Sequence, residues 1–211
     1  MNENTVEKIV GEQKKGGFFQ SVKAFLKRNS DMIVKMLVHQ LGLTVFGFLL
    51  YKAASVSGSR PLVLGLGIFS AVFYLFLLYV LCWENGAKDK IKIDGNRLKK
   101  DVFKGAKASL VANIPNLIFA VISLVGYLCI NKSVTDEAGR LVSPEWAANM
   151  YGIAQVVGAY LNSMYVGIGD FLGVVVHSWY LFATCAPTIL VCGLGYYFGT
   201  NEKYGVFSLT K

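Results

Sequence analysis

The stretch WENGAKDKIKIDGNRLKKDVFKGAKASLVANIPNLIF, residues 83–119, decides how the rest of the chain is read. An apolar run stops at Trp83, and eight basic residues follow, from Lys88 to Lys107. The chain then turns apolar again, with Asn113-Ile114-Pro115-Asn116 inside the new run. A basic segment between two apolar runs is the pattern of a loop between two membrane spans, and its sign marks the cytoplasmic side.

The charge pattern on either side supports that reading. Between Lys35 and Lys88 only Lys52, Arg60 and Glu84 are charged, between Lys107 and Lys132 nothing is, and between Glu145 and Glu202 only Asp170 is. The chain is 54% hydrophobic and 16% charged, against about 25% charged for an average soluble domain. Crossing a bilayer core takes roughly 20 mostly apolar residues. Spans are expected at about 32–51, 62–83, 108–130 and 172–198. Residues 146–169 carry no charge but hold Asn149, Gln155 and Asn162. They read as a re-entrant or interfacial helix, with a fifth span as the alternative. The fold class expected is all-α: a polytopic helical membrane bundle of four transmembrane helices, or five if 146–169 crosses.

The N-terminal region divides in two. Residues 1–16 are polar and read as a tail. In 17–30, Phe18, Val22, Phe25 and Leu26 recur at helical spacing, with Lys23, Lys27 and Arg28 among and opposite them. That is an amphipathic interfacial helix, and Asn29, Ser30 or Asp31 suits the cap of the next helix. The transmembrane domain takes 31–198 and a C-terminal tail 199–211. No cleavable leader is visible in the polar first thirty residues. In the basic loop, IKIDGNRL alternates around Asp94-Gly95, a short hairpin signal, with a turn into a helix near Arg97 as the rival. A calcium loop is excluded because Lys90 and Lys92 stand where acidic ligands belong.

For four spans, seventeen of the 21 Lys and Arg residues fall on one side of the membrane and four on the other. This places both termini and the basic loop in the cytoplasm of a plasma membrane. The net charge of +8 is thereby explained by topology, and nucleic-acid binding is not expected. Cys82, Cys129, Cys185 and Cys192 lie in or beside apolar spans without metal spacing, so no metal and no cofactor are expected. Motifs of hydrolases and of phosphate-binding loops are missing, so the chain does not read as an enzyme.

Polar groups inside spans are costly and mark candidate sites. These are His39 and Gln40 in the first span, Asn113, Pro115 and Asn116 in the third, and Asp170 and His177 at the start of the fourth. Asp170 and His177 are seven apart, hence on one helix face, and a proton path through them and His39 is conceivable if those helices face one another. Pro115 frees a carbonyl that must find a new partner, and Pro187 repeats the theme in the fourth span. Lys23, Lys27, Arg28, Arg97, Lys99, Lys100, Lys104 and Lys107 form a candidate surface for anionic lipid or an acidic partner. The small-residue pairs Gly195/Gly199, Gly67/Ala71 and Ala154/Gly158 mark close helix contacts, within the chain or in a homo-oligomer. The function expected is an accessory or anchoring subunit acting through helix, lipid and loop contacts. The alternative is a small permease or channel-like subunit with a polar path along the kinked third and fourth spans.

Overall fold

The computed structural model describes residues 17–130, 134–135, 141–142 and 144–201. The N-terminal tail 1–16, residues 131–133, 136–140 and 143, and residues 202–211 of the C-terminal tail lie outside the described residues. Seven helices are described: α1 (Phe18–Val56), α2 (Arg60–Asp94), α3 (Lys104–Ala112), α4 (Ile114–Ile130), α5 (Glu145–Leu161), α6 (Ser163–Phe171) and α7 (Tyr180–Thr200). Two short strands, β1 (Val134–Thr135) and β2 (Leu141–Val142), pair antiparallel between α4 and α5.

Helices α1, α2 and α7 are each long and apolar enough to cross a membrane. The pair α3–α4 makes a fourth if its two parts, bent by 57° at Asn113, count as one span. Apolar stripes on the outside of the bundle fit that solvent. On α1, Val34, Val38, Leu41, Val45 and Leu49 are exposed, while Met32, Ile33, Met36, Leu43 and Thr44 face inward. On α4, Ile118, Val121, Val125 and Leu128 are exposed as Ala120 and Ser123 turn in. Contiguous exposed apolar surface of this extent is foreign to a water-soluble monomer.

Two expectations about boundaries are corrected. Asn29, Ser30 and Asp31 do not cap a new helix, because α1 runs unbroken through them. Their side chains bond inside it, while Asn29 Oδ1 has no partner among the described residues. Asn29 Nδ2 donates to the Phe25 carbonyl at 2.9 Å, Ser30 Oγ donates to the Lys27 carbonyl at 3.3 Å, and Asp31 pairs with Lys35 one turn on at 2.8 Å. Such back-bonds and i,i+4 pairs are local alternatives to capping. Asp94-Gly95 is likewise no hairpin turn, because α2 continues ten residues past Glu84 and stops there. Asn96 takes a φ of 55°, its N–H bonds the Ile93 carbonyl at 2.9 Å, and the Arg97 N–H reaches the Lys92 carbonyl at 2.8 Å. That double closure over a left-handed residue is a helix C-terminal stop.

The third and fourth apolar runs are also re-divided. Asn113 (φ −86°, ψ 3°) ends α3, and its carbonyl accepts the Leu117 N–H at 3.0 Å. Pro115 falls in the first turn of α4, where a missing N–H costs little. It starts a helix instead of kinking one. Residues 172–179 are irregular, so the last helix begins at Tyr180 and not near 172. Gly173 at φ 69° closes α6 with bonds from its N–H to Asp170 and from Val174 to Gly169.

The 146–169 segment is two helices broken at Asn162 (φ −109°, ψ 27°). Gln155 Nε2 donates to the Val175 carbonyl at 3.0 Å, while the Val174 N–H bonds the Gly169 carbonyl at 2.9 Å. A straight helix would hold residues 155 and 169 about 21 Å apart, too far for both to touch consecutive residues. The two segments therefore fold toward each other at Asn162.

Candidate functional site

Close helix approach positions the interior. Any Cβ on Gly105 would run into the Cys192 carbonyl oxygen and the Tyr196 Cβ, so α3 lies almost directly on the α7 backbone. Gly67 and Gly167 meet each other, which brings α6 onto α2. Of the small-residue pairs noted in the sequence, Gly195 and Gly199 face α2 at Tyr79 and Trp83, and Gly158 faces Leu181 of α7. These contacts are internal.

Two polar clusters result. One is an amide chain at the meeting point of the two helix breaks. Asn113 Nδ2 donates to the Ser109 carbonyl at 2.9 Å, and Asn116 Nδ2 donates to Asn113 Oδ1 at 3.1 Å. Asn116 Nδ2 also reaches Asn162 Oδ1 at 3.5 Å, and Asn162 Nδ2 donates to the Gly158 carbonyl at 2.9 Å. All three asparagines are 2% exposed, which makes every missing partner expensive. Asn116 Oδ1 has no partner among the described residues. Thr44 ties the same break to α1, donating to the Leu161 carbonyl at 2.9 Å and accepting from the Ser163 hydroxyl at its own carbonyl. Gln40 is buried and lines, with Asn113, Ser109, Tyr74, Thr188 and Cys192, a tight polar gap next to this chain.

The other cluster sits where α2 extends beyond Trp83. Asp89 is buried and receives the Lys104 ammonium at 2.5 Å and the Tyr196 hydroxyl at 2.9 Å on one carboxylate oxygen. Lys92, largely exposed, stands 3.5 Å from the other oxygen. The Lys104 ammonium also lies 5.7 Å from the centre of the Tyr196 ring. Three helices are thus joined through one carboxylate, and hydrogen bonds plus opposite charge favour its ionised form.

Placement of the remaining residues singled out in the sequence is mixed. Lys23, Lys27, Arg28, Arg97, Lys99, Lys100 and Lys107 are exposed at the basic end, with Lys100 donating to Asn201 at 3.0 Å and Lys107 paired with Asp101 at 3.0 Å. Lys104 is turned inward to Asp89 and is not part of that surface. His39 is half-buried, with Nδ1 2.7 Å from the Lys35 carbonyl one turn earlier. Asp170 closes α6 and His177 lies exposed in the irregular segment beside Trp179. They do not share a helix face, and His39, on α1, is not joined to either by any hydrogen bond among the described residues. Pro115 is exposed at the bend.

Asp89, Tyr196, Thr44 and Asn162 were not singled out as site residues. Asn162 carried a signal, a lone amide in an uncharged run. Asp89 carried none, being one acid among many charges. No group of His, Cys, Asp and Glu suited to a metal ion occurs among the described residues.

No protein-family model matches the chain, and neither a curated protein nor a solved structure is significantly similar to it. What defines it is its own architecture: an all-helical membrane protein with three helices, or four counting the bent pair, suited to cross the bilayer.

Proposed function

We propose that this protein is an accessory or anchoring subunit whose working surface is its basic end. It would lie in a plasma membrane with the N-terminus and that end in the cytoplasm. The observation that carries the reading is helix length. At 1.5 Å rise, the 39 residues of α1 and 35 of α2 span about 58 and 52 Å, against about 30 Å of hydrocarbon. The apolar parts end at Met32 and Trp83, so both surpluses project from the same end. There they carry Lys23, Lys27, Arg28, Lys88, Lys90 and Lys92, next to Arg97, Lys99 and Lys100. The Asp89–Lys104–Tyr196 clamp holds this projection against α3 and α7. A rigid basic platform is suited to anionic headgroups, at about 1 kcal/mol per basic residue near the surface, or to an acidic partner protein.

In this reading α3–α4 counts as one broken span and α5–α6 as a re-entrant pair, giving four spans and a cytoplasmic C-terminus. The basic stretch of α1, continuous with the span, starts in the headgroup region and extends beyond it. The test replaces Arg97, Lys99, Lys100 and Lys107 by Gln. Loss of bound anionic lipid or of a co-purifying protein, with insertion intact, is expected. Unchanged binding refutes the platform's role.

A second reading, a permease-like subunit, is favoured by one observation: the breaks at Asn113 and Asn162 face each other through Asn116, whose side-chain Oδ1 is unpartnered among the described residues. Transporters build solute sites at such interruptions. Swelling of proteoliposomes in small neutral solutes, abolished by Asn116→Leu, would support it, and no swelling by the native protein would sink it.

A further inference from the structure

We propose that the cleft between the α1–α2 turn and the end of α6 binds a small zwitterion bearing a carboxylate and an ammonium group. The cleft holds about 240 Å³ and is lined by Tyr51, Ser55, Arg60, Val63, Asp170 and Phe171, with Gly58 at its lip. It lies at the end of the bundle opposite the basic platform, so it is independent of the anchoring role.

Arg60, the first residue of α2, and Asp170, in the last turn of α6, enter this cleft with opposite charges. No ion pair joins them among the described residues. The Arg60 guanidinium is instead 5.9 Å from the centre of the Phe171 ring, a cation–π contact that fixes its position without using its forked donors. The turn beneath is set by Gly58 at φ 67° and by hydrogen bonds from Ser57 and Gly58 back to α1. Arg60 is thus held at the cleft by the turn and the Phe171 ring, Asp170 lines it from the last turn of α6, and the two charges are left unpaired with each other. A simple anion entering here meets repulsion from Asp170, and a simple cation meets repulsion from Arg60. Only a ligand carrying both signs is complementary to both. The volume falls below the range of about 300–1,000 Å³ typical of drug-sized ligands, which limits the ligand to a small solute such as a single amino acid or a betaine.

The experiment uses the full-length protein in lipid nanodiscs and calorimetric titration with glycine, serine, leucine and glycine betaine. Propionate and propylamine serve as single-charge halves. Saturable binding of at least one zwitterion is expected at about 1 mM or tighter, at least tenfold tighter than either half. Arg60→Gln and Asp170→Asn are each expected to weaken it at least tenfold. Both residues are exposed, so both variants should unfold at the native midpoint. The proposal is overturned if no zwitterion in the panel binds below about 10 mM, if the halves bind as well as the whole, or if both variants bind as tightly as the native protein.

Discussion

Replacing Asp89 by Ala removes the one anion that the buried Lys104 ammonium touches among the described residues. Lys104 is 8% exposed and its partner 5%, so the loss leaves a buried cation beside the Tyr196 ring, together with a Tyr196 hydroxyl that has lost its acceptor. Breaking a buried, hydrogen-bonded pair from one side costs about 3–5 kcal/mol. The two sides are unequal. In Lys104→Met the carboxylate keeps the Tyr196 hydroxyl at 2.9 Å, and Lys92, already 3.5 Å away and flexible, moves closer. The expected cost there is about 2 kcal/mol, near the low end for an orphaned charge. Asp89→Leu combined with Lys104→Met removes both charges and is expected to recover most of the loss, since apolar replacement of a buried pair is often neutral. The assay is reversible unfolding in mixed micelles, with Asp89→Leu alone measured beside Asp89→Ala, so that Asp89→Leu, Lys104→Met, their double variant and the native chain close a double-mutant cycle. An Asp89→Ala cost below about 1 kcal/mol would place the pair among surface ion pairs and refute the claim that it clamps three helices.

Other consequences follow from packing and burial. Gly105→Ala forces a methyl group against the Cys192 carbonyl and Tyr196 and is expected to destabilise by about 1–3 kcal/mol. Gly65→Ala meets nothing within 4 Å and should be neutral or stabilising by up to about 1 kcal/mol, so thermal midpoints of the two should move in opposite directions or differ plainly. Asn162→Leu deletes the link between the two helix breaks and should cost about 1–3 kcal/mol, read by the same unfolding assay. A membrane-permeant maleimide should label Cys129, which is half-buried, well before Cys82, Cys185 and Cys192, which are buried. Equal labelling rates for all four would contradict the packing.

The membrane class was legible from where charge is missing, and three of the expected spans contain helices apolar enough to cross. Boundaries were less legible because residues that cap or turn in isolation are satisfied otherwise in context. Asn29 bonds back within α1, and Asp94-Gly95-Asn96 ends a long helix instead of turning a hairpin. The Asn-Ile-Pro-Asn run did announce a break, but not its form, since a proline kink and a proline at a new helix start look alike in one sequence. Asn113 and Asn116 were found by their polarity inside an apolar run. Their link to Asn162 was not, because it spans 46 residues. Lys104 read as one of eight loop cations. Only the approach permitted by Gly105 reveals that it is buried against Asp89, which Lys92 meets from the exposed side.

The most direct measurement is extraction of the protein in native lipid nanodiscs at low salt, followed by mass spectrometry of every protein and lipid retained. It is performed side by side with the variant carrying Gln at Arg97, Lys99, Lys100 and Lys107. An anchoring subunit is expected to retain a second protein at fixed stoichiometry, or an excess of anionic lipid, and the variant is expected to lose it. Recovery of the native chain alone, with bulk lipid composition and no difference from the variant, would contradict the proposal that the basic end is the working surface.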